Sequence, residues 1–207
     1  MCLKIYIRWL LVCIVAIGLP FASLNIAFAD VEYRFKRLWP DLQQPWYFSD
    51  PSKLVYDKEL LYIADSGNNR IQVFTKNGTF IRSIGARGDQ HGEFYTPRGL
   101  AISAAGLIYV ADTGNHRIQV FNDDGVFIST WGQQGGNPQQ FVFPEGIAVA
   151  DNGRVYVADS GNNRIQVFTL AGEYITSWGS KGNADGQLHD PVDIVVAQDN
   201  KVYVADK

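Results

Sequence analysis

Short segments of alternating apolar and polar residues run through the chain from about residue 51 to its end. The segment Arg117–Asn122 is an example, because Ile118 and Val120 alternate there with polar or outward-facing neighbours. A period of two residues is typical of β-strands, whereas a helix repeats its apolar positions about every 3.6 residues. After residue 29 we find no segment with a convincing helical period. The chain is therefore predicted to be all-β.

One thirteen-residue pattern recurs along the chain. It reads Tyr-Ile-Ala-Asp-Ser-Gly-Asn-Asn-Arg-Ile-Gln-Val-Phe at 62–74 and returns almost unchanged at 109–121 and 156–168. A fourth copy begins at Tyr203 and reaches Asp206, one residue before the sequence ends. The leading tyrosines are 47 residues apart each time, which chance does not produce. A fixed period of this length indicates a repeat architecture.

Each repeat unit is predicted to contain four strands. In the second unit they cover residues 99–103, 107–111, 117–122 and 126–131. Pairs such as Asn77-Gly78 and Asp124-Gly125 supply the positive φ that tight hairpins need. Four-stranded antiparallel units of this length, each with turn glycines, describe the blades of a β-propeller. A solenoid is the structural alternative, but long connections such as 132–143 fit blade-to-blade crossings better.

The pattern Tyr-Val-Ala-Asp-x-Gly-Asn-x-Arg-Ile-x-Val-Phe closely resembles the NHL repeat. So do Trp131-Gly132, Trp178-Gly179 and the proline that opens each unit, at positions 51, 97, 144 and 191. The resemblance covers the chain from about Val31 to its end, and it implies a six-bladed ring used mostly as a binding platform.

The repeat count predicts a partial ring of about three full blades plus parts. Residues 51–207 hold the units, and the last unit is incomplete. We therefore expect a C-terminally truncated sequence, with a four-bladed ring as the alternative. Residues 30–50 are predicted to be an N-terminal segment in which Tyr33–Leu38 forms the outer closing strand of an incomplete blade.

The first 29 residues have a different character. Lys4 and Arg8 precede an uncharged apolar run over residues 9–29, which ends in Ala27-Phe28-Ala29. This is the layout of a secretory signal peptide, and it predicts a secreted, periplasmic or otherwise extracellular protein. An uncleaved anchor over residues 9–29, with the propeller outside the cytoplasm, is the alternative, since about 20 apolar residues can span a bilayer. Both cysteines lie in this segment, so the mature chain is expected to have no disulfides.

The charge of the chain argues against a nucleic-acid partner. The formal net charge is −3. Cleavage after residue 29 removes two basic residues and no acidic ones, which leaves −5. Proteins that bind nucleic acid carry a basic surface, so RNA binding, which some NHL propellers perform, is not expected here.

An aspartate and an arginine flank the Gly-Asn turn of each complete unit. One interpretation is a ring of ligand-binding groups. We prefer blade scaffolding, in which the carboxylate accepts N–H groups of the turn and the arginine closes a charge-assisted pair. The predicted structural set is Asp65, Arg70, Asp112, Arg117, Asp159, Arg164 and Asp206.

Function is better sought where the units differ. The residue after each opening proline starts the innermost strand and should face the central channel; these residues are Ser52, Arg98, Glu145 and Val192. Arg98 and Glu145 could bind a polar ligand, or they could form a rim ion pair of little energetic value. We take Arg98, Glu145 and the loop residue His116 as candidate ligand-binding residues.

We expect no metal, no other cofactor and no catalytic residues. A catalytic zinc needs about three ligands on one centre. His91, His116 and His189 all fall in loops, but at unmatched offsets from the opening prolines. Propeller lyases that act on amidated-peptide precursors resemble this family and place zinc histidines after the opening proline, where this sequence has none. The predicted function is non-catalytic binding of a protein, peptide or glycan on the loop face; the alternative is a metal-dependent lyase or hydrolase.

Overall fold

The computed structural model describes residues 47–207, and every regular element in that range is a β-strand or a short 3-10 turn. The strands form three four-stranded sheets and one two-stranded sheet, and consecutive strands are antiparallel neighbours. This confirms the predicted all-β fold of four-stranded antiparallel blades. The predicted signal peptide and the predicted closing strand Tyr33–Leu38 lie outside the described residues. Within residues 47–207, no helix is long and apolar enough to cross a membrane.

The strands are numbered in chain order. The first blade contains β1 (Pro51–Asp57), β2 (Leu60–Asp65), β3 (Arg70–Thr75) and β4 (Phe80–Ile84). The second contains β5 (Pro97–Ile102), β6 (Ile108–Asp112), β7 (Arg117–Phe121) and β8 (Phe127–Trp131). The third contains β9 (Pro144–Val149), β10 (Arg154–Asp159), β11 (Arg164–Thr169) and β12 (Tyr174–Trp178). The two-stranded sheet pairs β13 (Asp193–Val196) with β14 (Val202–Ala205).

The proline-led strands are the innermost strands, as predicted. β1, β5, β9 and β13 contact one another in sequence order, while β4, β8 and β12 lie at the far edge of their sheets. The approach is so close that a Cβ atom on Gly99 would lie 2.1 Å from the carbonyl oxygen of Glu145. A Cβ atom on Gly146 would likewise lie 2.7 Å from the Cα of Asp193. Glycine at these two positions therefore lets adjacent blades meet.

The first hairpin is one residue shorter than its counterparts. Asp57 pairs with Leu60, and the two residues between them, Lys58 and Glu59, have φ of 44° and 70°. Positive φ at both central residues defines the type I′ turn that joins twisted strands most tightly. The second blade has a longer connection between β5 and β6. Within that connection, only Gly106 has a positive φ. This explains why the first two opening prolines are 46 rather than 47 residues apart.

The β3–β4, β7–β8 and β11–β12 hairpins differ in detail from the prediction. Positive φ falls on the glycine of each turn, at 86° for Gly78, 83° for Gly125 and 87° for Gly172, and not on the residue before it. The register of the two strands also shifts beside each of these turns. One left-handed glycine followed by a bulge satisfies the hairpin, so the preceding Asn or Asp need not adopt a left-handed conformation.

The hydrophobic core lies between successive blades. Apolar residues from one blade's strands pack against the inner strand of the next, and an aromatic residue from the connecting loop fills the space between them. Phe94 and Phe141 play this part, and both are fully buried. Each ring meets the phenylalanine of its own blade's third strand, Phe121 and Phe168, at centroid distances of 5.5 and 5.7 Å. Burying such side chains contributes most of the stabilisation in a fold without disulfides.

A hydroxyl group adds a polar link between blades. The first residue after each motif aspartate is Ser66, Thr113 or Ser160, and each is buried. Thr113 donates a hydrogen bond of 2.6 Å to the carbonyl of Pro144, and Ser160 donates one of 2.6 Å to the carbonyl of Pro191. Each bond satisfies a carbonyl at the start of the next inner strand, where antiparallel pairing alone leaves it free.

Candidate functional site

A buried carboxylate anchors the loop that leads into each blade. In the second blade, Asp112 is fully buried at the end of β6. Its Oδ2 accepts hydrogen bonds from Arg117 (2.8 Å), Asn115 (2.9 Å) and Gln119 (3.0 Å). Its Oδ1 accepts a hydrogen bond of 2.8 Å from the backbone N–H of Tyr95, in the loop before the blade. Four donors compensate the cost of burying this charge.

The donors differ from those predicted. We expected the carboxylate to accept backbone N–H groups of its own turn, but Asp65, Asp112 and Asp159 make no such capping bond. The turn contributes the side-chain amide of its asparagine instead, and the backbone donor comes from the preceding loop. The turn amides have other acceptors: in the second blade the N–H of Gly114 donates to the carbonyl of Tyr95 and the N–H of His116 donates to the carbonyl of Thr113. The carboxylate therefore fastens a loop to a blade and does not cap a turn.

The arginine of the motif extends the same anchor. Arg117 donates to the carbonyl oxygens of Asp89, Gln90 and Glu93 at 2.7–3.0 Å, in addition to its bond with Asp112. The pairs Asp65–Arg70 and Asp159–Arg164 have the same 2.8 Å separation between arginine Nε and carboxylate Oδ2. Their carboxylates are fully buried, so no ligand in solvent can reach them.

Asp206 occupies the same position in the last unit but has a different environment. It is exposed, and both of its oxygens accept the backbone N–H of His189, at 2.8 and 2.9 Å. No arginine, asparagine or glutamine side chain donates to it among residues 47–207. It retains the loop contact of the motif and lacks the buried network.

The four residues that follow the opening prolines line one cleft. The cleft has a volume of about 200 Å³ and is formed by the first residues of β1, β5 and β9 and by the segment that leads into β13. Its lining residues are Ser52, Lys53, Arg98, Gly99, Glu145, Gly146, Val192 and Asp193. Sequence positions that vary between units therefore converge at one place, and they carry both signs of charge.

The Arg98 side chain of the cleft is only loosely held. Arg98 is 39% exposed, and its nearest acidic partner is Asp50, at 3.8 Å. Among the described residues, no ion pair joins Arg98 to Glu145. The rim ion pair that we considered as an alternative is therefore not present. Ser52 donates to the backbone carbonyl of Arg98 at 2.9 Å, which ties the first two blades together at the cleft.

One pair of cleft residues was missed in the sequence. Lys53 Nζ lies 2.6 Å from both carboxylate oxygens of Asp193, although 140 residues separate them in the chain. They occupy the position filled by Gly99 and Gly146 in the second and third units. A charged residue replacing the repeat glycine is the signal that would have indicated them. The pair joins the inner strand of the first blade to that of the last.

The three histidines lie in three different environments. His91 stacks on Phe127, with ring centroids 4.6 Å apart. His189 contributes its backbone N–H to Asp206. His116 accepts a hydrogen bond of 3.0 Å at Nδ1 from the backbone N–H of Phe143, and burial lowers its pKa despite the opposing carboxylates of Asp159 and Asp112. Within residues 47–207, no three His, Cys, Asp or Glu side chains are arranged to hold a metal ion.

Comparison with protein families gives two matches to this fold. The NHL repeat model matches residues 94–121 and 141–168, and a six-bladed β-propeller family model matches residues 44–106. The chain carries NHL repeats. The two NHL matches each run from the loop phenylalanine, Phe94 or Phe141, to the end of the third strand. The matched segment thus contains the loop, the inner strand and the buried aspartate network that joins them.

Solved structures share the same architecture. Virginiamycin B lyase from Staphylococcus aureus superposes with a TM-score of 0.57 and 18% identity over 75% of this chain and 48% of that chain. Kuenenia stuttgartiensis hydrazine synthase gives a TM-score of 0.58 and 18% identity over 79% and 44%. A nidogen–laminin complex gives 0.56 and 17% over 75% and 56%. The NHL-repeat chain spans about half the length of these structures, and at such identities the likeness concerns the fold alone. A comparison with curated proteins gave no match.

Proposed function

We propose that this NHL-repeat propeller is a non-catalytic binding module that acts outside the cytoplasm. Its ligand is a protein, peptide or glycan with charged or polar groups, held on the loop face around the cleft between Arg98 and Glu145. The observation that carries the proposal is the convergence of the four variable post-proline positions on one open cleft. The repeated Asp–Arg network beneath it is buried and serves the scaffold.

The surroundings of the cleft suit recognition. Tyr95 and Phe143, in the loops just before Pro97 and Pro144, are 46% and 51% exposed. Exposed aromatic residues beside an arginine are the side chains that dominate binding energy at interfaces. Loops positioned by a rigid scaffold commonly carry binding sites. Location outside the cytoplasm is proposed from the apolar N-terminal segment with its Ala-x-Ala end.

A metal-dependent lyase or hydrolase is the second candidate, because the fold is shared with virginiamycin B lyase. Such an enzyme would need about three ligands converging on one ion. The cleft offers Glu145 and Asp193 as acidic groups, but Asp193 is already paired with Lys53, and Arg98 would repel a cation. The charge pattern therefore favours binding of a polar ligand over binding of a metal ion.

The test is a binding screen of the full chain against peptide and glycan libraries, followed by single substitutions. Arg98→Ala and Glu145→Ala are each expected to weaken binding of a selected ligand at least about tenfold, as a lost charged contact at an interface does. Arg154→Ala is the matched control, because Arg154 is an exposed arginine at the start of β10, away from the cleft. Stoichiometric zinc in the purified protein, or unchanged binding in both cleft variants, would overturn the proposal.

A further inference from the structure

A hydrogen bond at the end of each 3-10 turn fastens the next blade's loop. The residue that closes the turn is Asn69, His116 or Asn163, and each has a left-handed φ of 54–56°. Its side chain accepts the backbone N–H of the residue that precedes the next opening proline. The donors are Thr96 for Asn69 (2.8 Å), Phe143 for His116 (3.0 Å) and Asp190 for Asn163 (3.1 Å).

The loop residues held in this way are themselves in an unusual conformation. Thr96, Phe143 and Asp190 have φ of 52°, 50° and 61°. Positive φ is unfavourable for residues with a Cβ, and for a bulky one such as Phe143 it persists only where the surroundings enforce it. The bond to the preceding turn is therefore one of the contacts that keep the pre-proline residue in place.

The second blade differs from the others in the chemistry of its acceptor. An asparagine Oδ1 accepts a hydrogen bond at any pH that the protein survives. A histidine Nδ1 accepts one only while the ring is neutral, because protonation places a hydrogen on that nitrogen. The Phe143 loop is thus fastened by a titratable group, whereas the Thr96 and Asp190 loops are not.

The surroundings of His116 favour the neutral ring. Burial lowers its pKa, and the carboxylates that oppose this effect are Asp159 of the next blade and Asp112 of its own. Both carboxylates are engaged by their own arginines at 2.8 Å. Glu145 follows two positions beyond Phe143 in the chain. The ring also contacts the Phe143 ring, with centroids 4.6 Å apart.

We propose that His116 is a positioning residue for the loop face, which releases the Phe143 loop when the solution becomes acidic. Protonation of Nδ1 would break its bond to the Phe143 N–H, because two N–H donors would then face each other. Phe143 leads through Pro144 to Glu145, so its release would move both an exposed aromatic anchor and the acidic wall of the cleft. The consequence for ligand binding rests on the proposed function; the release itself does not.

The test is nuclear magnetic resonance of the full chain between about pH 7.5 and pH 5, the range in which histidines titrate. The Phe143 amide is expected to shift with the same midpoint as the His116 ring, and its hydrogen exchange, corrected for the intrinsic pH effect, should accelerate by about tenfold. The amides of Thr96 and Asp190 are internal controls, because asparagine holds them. His116→Asn is the matched variant, since it installs the acceptor that the other blades use.

Three outcomes decide the question. A titrating Phe143 amide in the wild type and a flat one in His116→Asn supports the proposal. A Phe143 amide that stays flat down to about pH 5 in the wild type would overturn it, whether or not the His116 ring titrates, as would the same titration in both proteins. Ligand binding by the Arg98 and Glu145 variants is measured separately at about pH 7.5, where His116 is neutral. If the binding proposal fails, the Phe143 titration still tests the release of the loop. If the loop is not released, the binding assay at about pH 7.5 still tests the proposed function.

Discussion

Replacing Asp112 with asparagine tests the network that fastens each loop to its blade. The substitution keeps the size of the side chain but exchanges one acceptor oxygen for an NH2 donor. At this position four donors converge, three on Oδ2 and one on Oδ1. In either orientation the new NH2 group faces a donor, and at least one buried hydrogen bond is lost.

The loss is large because a charged partner remains behind. Arg117 is only 13% exposed and keeps its positive charge when the carboxylate is removed. Breaking a buried ion pair by removing one partner costs about 3–5 kcal/mol. A natural domain has a total stability of about 5–15 kcal/mol. A loss of this size should lower the midpoint of thermal unfolding by roughly 6–20 °C in a chain of this length.

The assay is thermal and urea unfolding of the full chain, followed by far-ultraviolet circular dichroism. Asp206→Asn is the matched control, because the same motif residue is exposed there and accepts a single N–H group. Its expected cost is about 0.5 kcal/mol or less, as for most surface substitutions. If both variants lost the same small amount of unfolding free energy, the buried network would not be the source of the stability, and the reasoning would be refuted.

Three further predictions examine other parts of the fold, two of them with a control variant. Thr113→Val should lower the free energy of unfolding in urea by about 1–3 kcal/mol, because it leaves the carbonyl of Pro144 unpaired. Thr113→Ser keeps the hydroxyl and should retain most of the stability. Gly99→Ala should destabilise by at least about 1–3 kcal/mol through overpacking against the neighbouring inner strand, whereas Gly136→Ala, where a Cβ meets nothing closer than 3.8 Å, should be nearly neutral. His116 contributes stability that is present above its unfolded pKa of about 6.5 and is lost as the pH falls through its lower folded pKa. His116→Asn should remove that part of the pH dependence, measured as urea midpoints from pH 7.5 to about pH 5.

The sequence predicted the blades well because the relevant signals are local. Alternating apolar positions and turn glycines depend on neighbours along the chain, and the 47-residue period of the tyrosine motif marks where each unit recurs. The strands of the second blade begin and end within two residues of their predicted positions. The largest difference is at Pro97, which already belongs to β5 although we placed the strand start at Gly99. Proline at a strand's first position costs no ladder hydrogen bond, so pairing extends to it.

Features that depend on contacts between blades could not be predicted from one unit. The donors to Asp112 include an N–H from a loop seventeen residues earlier, and only the crossing of that loop over β6 brings them together. The pair between Lys53 and Asp193 depends on where the first and last blades stand around the cleft. Lys53 and Asp193 each replace the glycine found at the equivalent position of the two middle units. Comparing the units therefore indicates that these two positions are unusual, but it does not indicate that the two side chains pair with each other.

The location of the cleft beside the buried networks has a physical consequence for binding. Loops that must be ordered when a ligand arrives consume part of the binding energy. Here the residues next to the cleft, Thr96 and Phe143, are already held at positive φ by hydrogen bonds that their N–H groups donate to side chains of the preceding blade. The loops behind them are anchored by buried carboxylates with four donors each. A ligand that bound at Arg98 and Glu145 would therefore meet a surface preformed by the described loops, except at the Phe143 loop, which is anchored by a histidine. If the loop face binds a ligand as proposed, its affinity should therefore fall when His116 is protonated and the Phe143 loop is released.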